Sequence, residues 1–309
     1  MTDIVTFGEA MGLLLATGTY PLDQARQFDR SVAGSEANVA VGLRRLGHDV
    51  TFVTRLGNDS VGSWVETTLR AEGMHLAIAR IESAPTGLLL RDAPSGRPVQ
   101  VSYHRAGSAA STLEWTDIGE QRVRAARVLF VTALTSVLSS TAEKAVATAV
   151  DVAWASGVAV VFDPNVRLRL AEASRWRQVV ATLAPRTDAI LVGDDELRIL
   201  DMDAATLLAL GCGAVVVKRG AHGARHIDAH GVIDVPARRV AVVDVVGAGD
   251  AFAAGWISGL LNESTAVERL RRGCAVASMA VTCRGDIEGL PGISLLGRLA
   301  EDLPTDVLR

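Results

Sequence analysis

Apolar positions along this chain follow two alternating rhythms. Short apolar runs at Asp3–Gly8, Val50–Leu56, Val128–Thr132, Val158–Asp163, Ala189–Val192 and Ala214–Lys218 read as strands. Between them, helix-period segments run over Glu36–Leu46, Ser60–Glu72 and Thr141–Ser156. Gly47, Gly73 and Gly157 follow these segments directly, where glycine ends a helix without strain. Strands that alternate with helices predict an α/β fold with a mostly parallel sheet covered on both faces. A β-like stretch, Arg239–Val243, precedes a more uniformly apolar helix, Ala251–Leu261.

Two segments break the alternation. Leu13–Phe28 is rich in turn residues, and Thr86–Tyr103 reads as a hairpin with arms at 87–91 and 98–103 around the turn Pro94-Ser95-Gly96. Together they predict a small β lid, built from about 12–34 and 86–108, on a single domain spanning 1–309. No repeat, low-complexity tract or linker divides the chain.

Composition narrows the class. Hydrophobic residues make up 49% and charged residues 21%, ordinary soluble usage, while aromatics at 4% leave Ala, Val and Leu to fill the core. Of the 31 basic residues only Lys144 and Lys218 are lysine, and 35 acids bring the formal net charge to −4. No basic block is long enough for nucleic acid. Cys212, Cys274 and Cys283 lack metal or redox spacing and read as reduced thiols. The histidines show no ligand spacing either. Met11–Ala16 is apolar, but it follows Glu9 without a basic leader, which argues against a signal peptide. No apolar run approaches the ~20 residues of a membrane span. A soluble cytoplasmic protein is expected.

The richest chemistry lies at residues 244–255, Asp-Val-Val-Gly-Ala-Gly-Asp-Ala-Phe-Ala-Ala-Gly. Gly247, Ala248 and Gly249 fall at a helix N-terminus, where free N–H groups, small side chains and the helix dipole favour an anion. Asp250 beside that hole would repel a phosphate unless it had other work. Taking a proton from an attacking hydroxyl is such work.

Other clusters are weaker alone. In Ala33-Gly34-Ser35-Glu36-Ala37-Asn38-Val39-Ala40, Ser35 or Asn38 could bond a substrate hydroxyl, and equally Ser35 could be a plain N-cap. Arg105, after Tyr103-His104, and Arg167, after Asp163-Pro164-Asn165-Val166, suit a carboxylate or phosphate, though each also reads as a solvated arginine. Lys218-Arg219-Gly220-Ala221-His222-Gly223 suits a loop close to a nucleotide or a simple strand-end turn. Asp194-Asp195-Glu196 could hold waters around Mg²⁺ or be an acidic first helical turn. Asp286 reads as a polar turn residue. The first strand leads into Gly8-Glu9-Ala10-Met11-Gly12 rather than the Gly-x-Gly-x-x-Gly loop of a dinucleotide-dependent dehydrogenase.

Taken together these motifs resemble the PfkB/ribokinase family of sugar kinases over nearly the whole chain. Asp-x-x-Gly-Ala-Gly-Asp-x-Phe-x-x-Gly is similar to the family signature. Gly34–Ala40, Tyr103-x-Arg105, Asp163-Pro164-Asn165-x-Arg167 and Gly285-Asp286-x-Glu288-Gly289-Leu290-Pro291 resemble 2-keto-3-deoxygluconate kinases within it. The resemblance implies a ribokinase-like three-layer sandwich with a β lid that often helps homo-oligomerisation. It implies ATP-dependent transfer, with Mg²⁺, to the terminal hydroxyl of a six-carbon sugar acid, with no nucleic-acid or membrane partner. Asp250 would be the general base and Gly247, Ala248 and Gly249 the anion hole. Gly34, Ser35, Asn38, Tyr103, Arg105, Arg167 and Asp286 would hold the sugar acid. Asn165, Lys218, Gly220 and Gly223, with Gly247 and Gly249, would sit near ATP. Glu196 would reach Mg²⁺ through water, and Asp244 resembles the acid that orders a monovalent cation such as K⁺ in many relatives.

Three departures from that pattern stand out. Gly193 replaces a frequent Asn, Val245 a common Thr, and Leu89 a Tyr that many keto-deoxygluconate kinases carry. A fructokinase, ribokinase or 5-dehydro-2-deoxygluconokinase is the alternative within the family, and a non-catalytic sugar-binding regulator the alternative outside it.

Overall fold

The computed structural model describes residues 2–18, 20–92 and 99–300. Its strands, in chain order, are β1 Ile4–Phe7, β2 Met11–Ala16, β3 Phe28–Ala33, β4 Val50–Gly57, β5 His75–Ile81, β6 Leu88–Arg91, β7 Val101–His104, β8 Val128–Thr132, β9 Ala159–Asp163, β10 Ala189–Gly193, β11 Ala214–Lys218, β12 Ala224–Asp228 and β13 Gly231–Val235. Nine of them form one sheet in the order β13-β12-β11-β10-β9-β8-β1-β4-β5. The ladders from β5 through β11 are parallel, and β12 and β13 close that edge antiparallel.

Neighbouring residues on the central strands face opposite layers, as the period of two requires. Ile4, Phe52, Phe130, Val161 and Leu191 pack toward the helices Ser35–Arg45, Ala248–Leu261 and Ala266–Ala280. Val5, Phe7, Leu129, Val131, Val160 and Phe162 pack toward Ser140–Ala155 and Ala173–Leu183. Because both faces are covered, β8 is buried at every position. Complete burial of a side chain such as Phe130 contributes about 1.5–3 kcal/mol, so these two faces supply the main stabilisation. The architecture is the expected three-layer α/β sandwich.

A second sheet runs in the order β3-β2-β6-β7. Antiparallel β2 and β3 pair Met11 with Ala33, so the two ends of the segment expected to be turn-rich, 13–16 and Phe28, are strand, and the connection narrows to 17–27. Leu13 and Leu15 supply the reason: they are buried with Met11 and Leu89 in a small cluster of their own. β6 joins β2 in parallel, and β6 and β7 form the expected hairpin with Leu88 opposite His104. The turn Pro94-Ser95-Gly96 lies outside the described residues.

The β-like reading of Arg239–Val243 is corrected. Pro236 follows the last residue of β13, and 236–247 carry no strand. Val242, Val243 and Val245 are exposed, and the N–H groups of Val243 and Asp244 turn instead to the carbonyl of Val281. No helix among the described residues is long and apolar enough to cross a membrane.

Candidate active site

The candidate residues collect where the central strands end, the edge at which open α/β sheets place ligands. Two helix N-termini face each other there. Gly34 caps Ser35–Arg45 at φ +145°, and a Cβ at this position would lie 2.1 Å from the Glu9 carbonyl oxygen. Gly247 caps Ala248–Leu261 at φ +81°, where a Cβ would lie 2.8 Å from the carbonyl of Asp286. Glycine is needed at both places because a side chain would meet backbone and because left-handed φ is strained for other residues. Among the described residues, the N–H groups of Gly247, Gly249 and Asp250 find no acceptor, while that of Ala248 turns back to Val245 at 3.3 Å. This is the electropositive end of the helix.

Asp250 stands in the first turn of that helix, and its carboxylate is held from three sides. Ser35 Oγ donates to Oδ1 at 2.7 Å, Asn165 Nδ2 to Oδ1 at 3.3 Å, and Asn38 Nδ2 to Oδ2 at 2.9 Å. Ser35 is therefore not the N-cap, and neither it nor Asn38 is committed to a substrate hydroxyl: both point at the acid. Asn165 follows β9 with φ 45° and also donates to Ser35 Oγ at 2.7 Å. Glu36 braces the Ser35–Arg45 helix against β8, accepting from Thr132 Oγ1 at 2.6 Å and Thr135 Oγ1 at 2.5 Å. Burial pushes its carboxyl up to about 7.

Two cavities meet at Asp250. The smaller, about 350 Å³, is lined by Gly34, Ser35, Asn38, Tyr103, Arg105 and Asp286. The larger, about 730 Å³, is lined by Glu196, Lys218, Gly220, Gly223 and Ala248, with Phe252, Ala277 and Val281 as an apolar wall. Asn165, Arg167, Gly247, Gly249 and Asp250 border both. A carboxylate and an anion-binding helix end thus separate, and connect, two binding spaces.

Charge in the smaller cavity is balanced in ways the sequence did not disclose. Arg105 stacks over the Tyr103 ring and pairs with buried Glu9 at 2.5 Å, so part of its charge is answered within the protein while it still lines the cavity. Burial raises the Glu9 carboxyl, opposed by the Arg105 charge and by Ser108, whose hydroxyl donates at 2.9 Å. Arg167 is exposed at the mouth. Asp286 receives Arg91 Nη2 at 3.0 Å and Asn38 Nδ2 at 3.5 Å. Burial pushes the Asp286 carboxyl up to about 7; Arg91 opposes this, while Asp250 and Glu288 add to it.

On the larger side, Lys218 Nζ lies 2.6 Å from Asp163 Oδ2, an ion pair within the wall of the cavity. Burial would lower that ammonium, but Asp163, Glu196 and Asp250 outweigh it and raise its pKa. Glu196 accepts the N–H groups of Val166 and Gly193, each at 2.7 Å, so it first serves as a brace for two chain turns. Asp244 departs furthest from expectation. Its Oδ2 receives Arg91 Nη1 at 2.7 Å and the Gly285 N–H at 3.2 Å, and its Oδ1 the Val246 N–H at 3.1 Å. The Arg91 guanidinium thus occupies the carboxylate that was expected to help order a monovalent cation.

Comparison with known proteins decides the family. Residues 1–292 match the pfkB family carbohydrate kinase pattern. The chain is 33% identical over 300 residues to the 2-dehydro-3-deoxygluconokinase of Bacillus subtilis (strain 168), covering 94% of this chain and 92% of the relative. It belongs to the pfkB family of carbohydrate kinases. Among solved pfkB-like structures, the PfkB protein from Polaromonas sp. JS666 is 36% identical with a TM-score of 0.87, covering 96% of this chain and 99% of the other. A fructokinase with bound ATP from Xylella fastidiosa is 25% identical with a TM-score of 0.86, covering 98% and 99%. The chain is a sugar kinase with the ribokinase-like fold.

Residues of this pfkB site that sequence reasoning missed are Glu9, Arg91 and the wall of the larger cavity. Glu9 stood one residue beyond the first strand, at the edge where ligands bind, and could have been flagged on that ground. Arg91 ends an apolar arm, Leu88-Leu89-Leu90, where a charged residue is out of pattern unless it is paired. Phe252, Ala277 and Val281 carry no signal, because apolar residues on a core helix and on a cavity wall look alike.

Proposed function

We propose that this kinase transfers the γ-phosphoryl group of ATP to the terminal primary hydroxyl of 2-keto-3-deoxygluconate. The observation that carries the reading is Asp250 at the junction of the two cavities, beside unpaired N–H groups of a helix end. The sugar acid would occupy the smaller cavity and ATP the larger, with the small sheet acting as the lid that excludes water. The names of the Bacillus subtilis relative and of the ATP-bound Xylella fastidiosa neighbour support that assignment.

Chemically, the sugar hydroxyl gives its proton to the Asp250 carboxylate as its oxygen bonds to the γ-phosphorus. The bond from that phosphorus to the β,γ-bridging oxygen breaks, and ADP leaves with the electron pair. Ser35, Asn38 and Asn165 hold the carboxylate in line by donating to it, which limits the geometries it samples. N–H groups of Gly247 and Gly249 receive the charge that gathers on the phosphoryl oxygens. Arg167 and Arg105 answer the substrate carboxylate, and Asp286 accepts from a sugar hydroxyl.

Among the described residues no cluster of three or more acidic, His or Cys side chains forms a metal cage. Mg²⁺ needs none, since it keeps several waters and binds mainly to phosphates, and Glu196 at the larger cavity fits one water-mediated contact. When bound it would neutralise phosphate charge.

One observation favours a second reading. The Arg105 charge is balanced by Glu9, which suits a neutral ketose as well as an acid. An ADP-release screen over 2-keto-3-deoxygluconate, its galacto epimer, fructose and ribose separates the two. Preference for fructose or ribose would replace the sugar-acid reading, and no release with any of them would favour a sugar-binding regulator.

A further inference from the structure

Arg91 is a buried cation that the mechanism above leaves without a role. It closes β6 in the small sheet, and its side chain is 1% exposed. Its two terminal nitrogens go to different acids, Nη1 to Asp244 at 2.7 Å and Nη2 to Asp286 at 3.0 Å. Those acids flank the anion-binding turn. Asp244 begins the 244–250 run and fixes it through the Val246 N–H, and the Asp286 carbonyl lies against Gly247. Two carboxylates buried beside a place where a phosphoryl group gathers negative charge would repel it and each other. A counter-charge there is an electrostatic necessity.

The small sheet delivers that charge, and it is tied twice more to the segment 284–288 that carries Asp286. Arg284 donates to the carbonyl of Ala16 at the end of β2, and Ser31 of β3 donates to Glu288. Three strands of the sheet therefore grip residues 284–288, with Arg91 the one that reaches through to Asp244.

We propose that Arg91 is a positioning residue that serves as the built-in cation of the anion hole, making turnover independent of added K⁺ and setting the 244–250 turn only when the small sheet is seated. A planar guanidinium reaches both acids at once, which a spherical ion does through single-point contacts. Because it is covalently attached, its effective concentration at the two acids leaves little for K⁺ to compete for. The proposal rests on the kinase reading above and deepens it.

The test compares the unmodified protein with Arg91→Ala in potassium and tetramethylammonium salts of equal ionic strength, by ADP release and by unfolding midpoint. The unmodified protein should show the same kcat and the same midpoint in both salts. Arg91→Ala should lose kcat by about tenfold or more in tetramethylammonium. K⁺ or millimolar guanidinium should restore part of it, and K⁺ should raise the variant's midpoint by binding the vacated acids. The proposal falls if K⁺ stimulates or stabilises the unmodified protein, if Arg91→Ala keeps full kcat, or if no cation restores what it loses. Should that variant fail to fold, Arg91→Lys replaces it: it should turn over more slowly and still ignore K⁺, and K⁺ stimulation of it would count against the proposal. If no sugar releases ADP, the kinase reading fails alone, and the midpoints still decide the role of Arg91.

Discussion

Ser35 and Asp250 lie 215 positions apart in the chain, yet the hydroxyl of one donates to the carboxylate of the other at 2.7 Å. Each sits in the first turn of its own helix, one capped by Gly34 and the other by Gly247. The two helix starts are thereby locked face to face across the point where the cavities join. A carboxylate held this way cannot swing away from the anion-binding turn beside it.

If Asp250 takes the hydroxyl proton, Asp250→Asn should cut kcat by about 10²-fold or more while leaving ATP and sugar binding largely intact. Calorimetric titration with each ligand and ADP-release kinetics check the two halves of that statement. Near-normal turnover would remove Asp250 from the chemistry.

Ser35→Ala removes one orienting donor and leaves the base in place. The expected result is a fall in kcat of roughly tenfold with KM for the sugar little changed, because the loss lies in alignment rather than in binding. A raised KM at constant kcat would instead make Ser35 a substrate contact.

The Glu9–Arg105 pair separates recognition from stability. Arg105→Leu should raise KM for a sugar acid by about tenfold or more and leave a neutral sugar unaffected, the scale of a lost charge-assisted contact. It should also lower the unfolding midpoint, since Glu9 would be left buried without its partner. The double variant Glu9→Gln, Arg105→Leu should regain stability without regaining the sugar acid. Equal loss on both sugars would end the argument for an acidic substrate.

Burial raises the Asp286 carboxyl to about 7, against an ordinary value of 3.8. The folded chain therefore holds this proton where the unfolded chain has released it. Stability should fall as pH rises from about 4 to about 7, with no further change from this group above that range. As an acceptor for a sugar hydroxyl Asp286 must be ionised, so kcat/KM should climb with pH through about 7 and then level. Asp286→Asn should flatten that limb in a pH–rate profile, and an unchanged limb would assign it to another group.

Gly247→Ala tests the anion-binding turn. The left-handed backbone at φ +81° should cost about 1–2 kcal/mol with any side chain, and the new Cβ would press on the Asp286 carbonyl. Chemical denaturation should register the lost stability, and kcat should fall with it. Unaltered kcat would mean that the turn does not contact the transferring group.

The strand–helix alternation, the helix starts and the Gly-Ala-Gly-Asp run were legible in the sequence because they are local: periodicity, caps and small residues act within one or two turns of chain. They determined the layered fold, the anion-binding helix end and the acid beside it. Pairing between distant side chains was not legible, since nothing near Arg91 says it will meet Asp244 and Asp286, nor anything near Arg105 that it will meet Glu9. Val242 and Val243 show the same limit from the other side. Their β-like pattern was real, but the chain had left the sheet at Pro236, and a strand exists only where a neighbour offers its backbone. Which arginine is free, which acid is already answered and which carboxylate faces both cavities were decided by tertiary structure alone, because burial makes each charge find a partner that only the folded chain brings within reach.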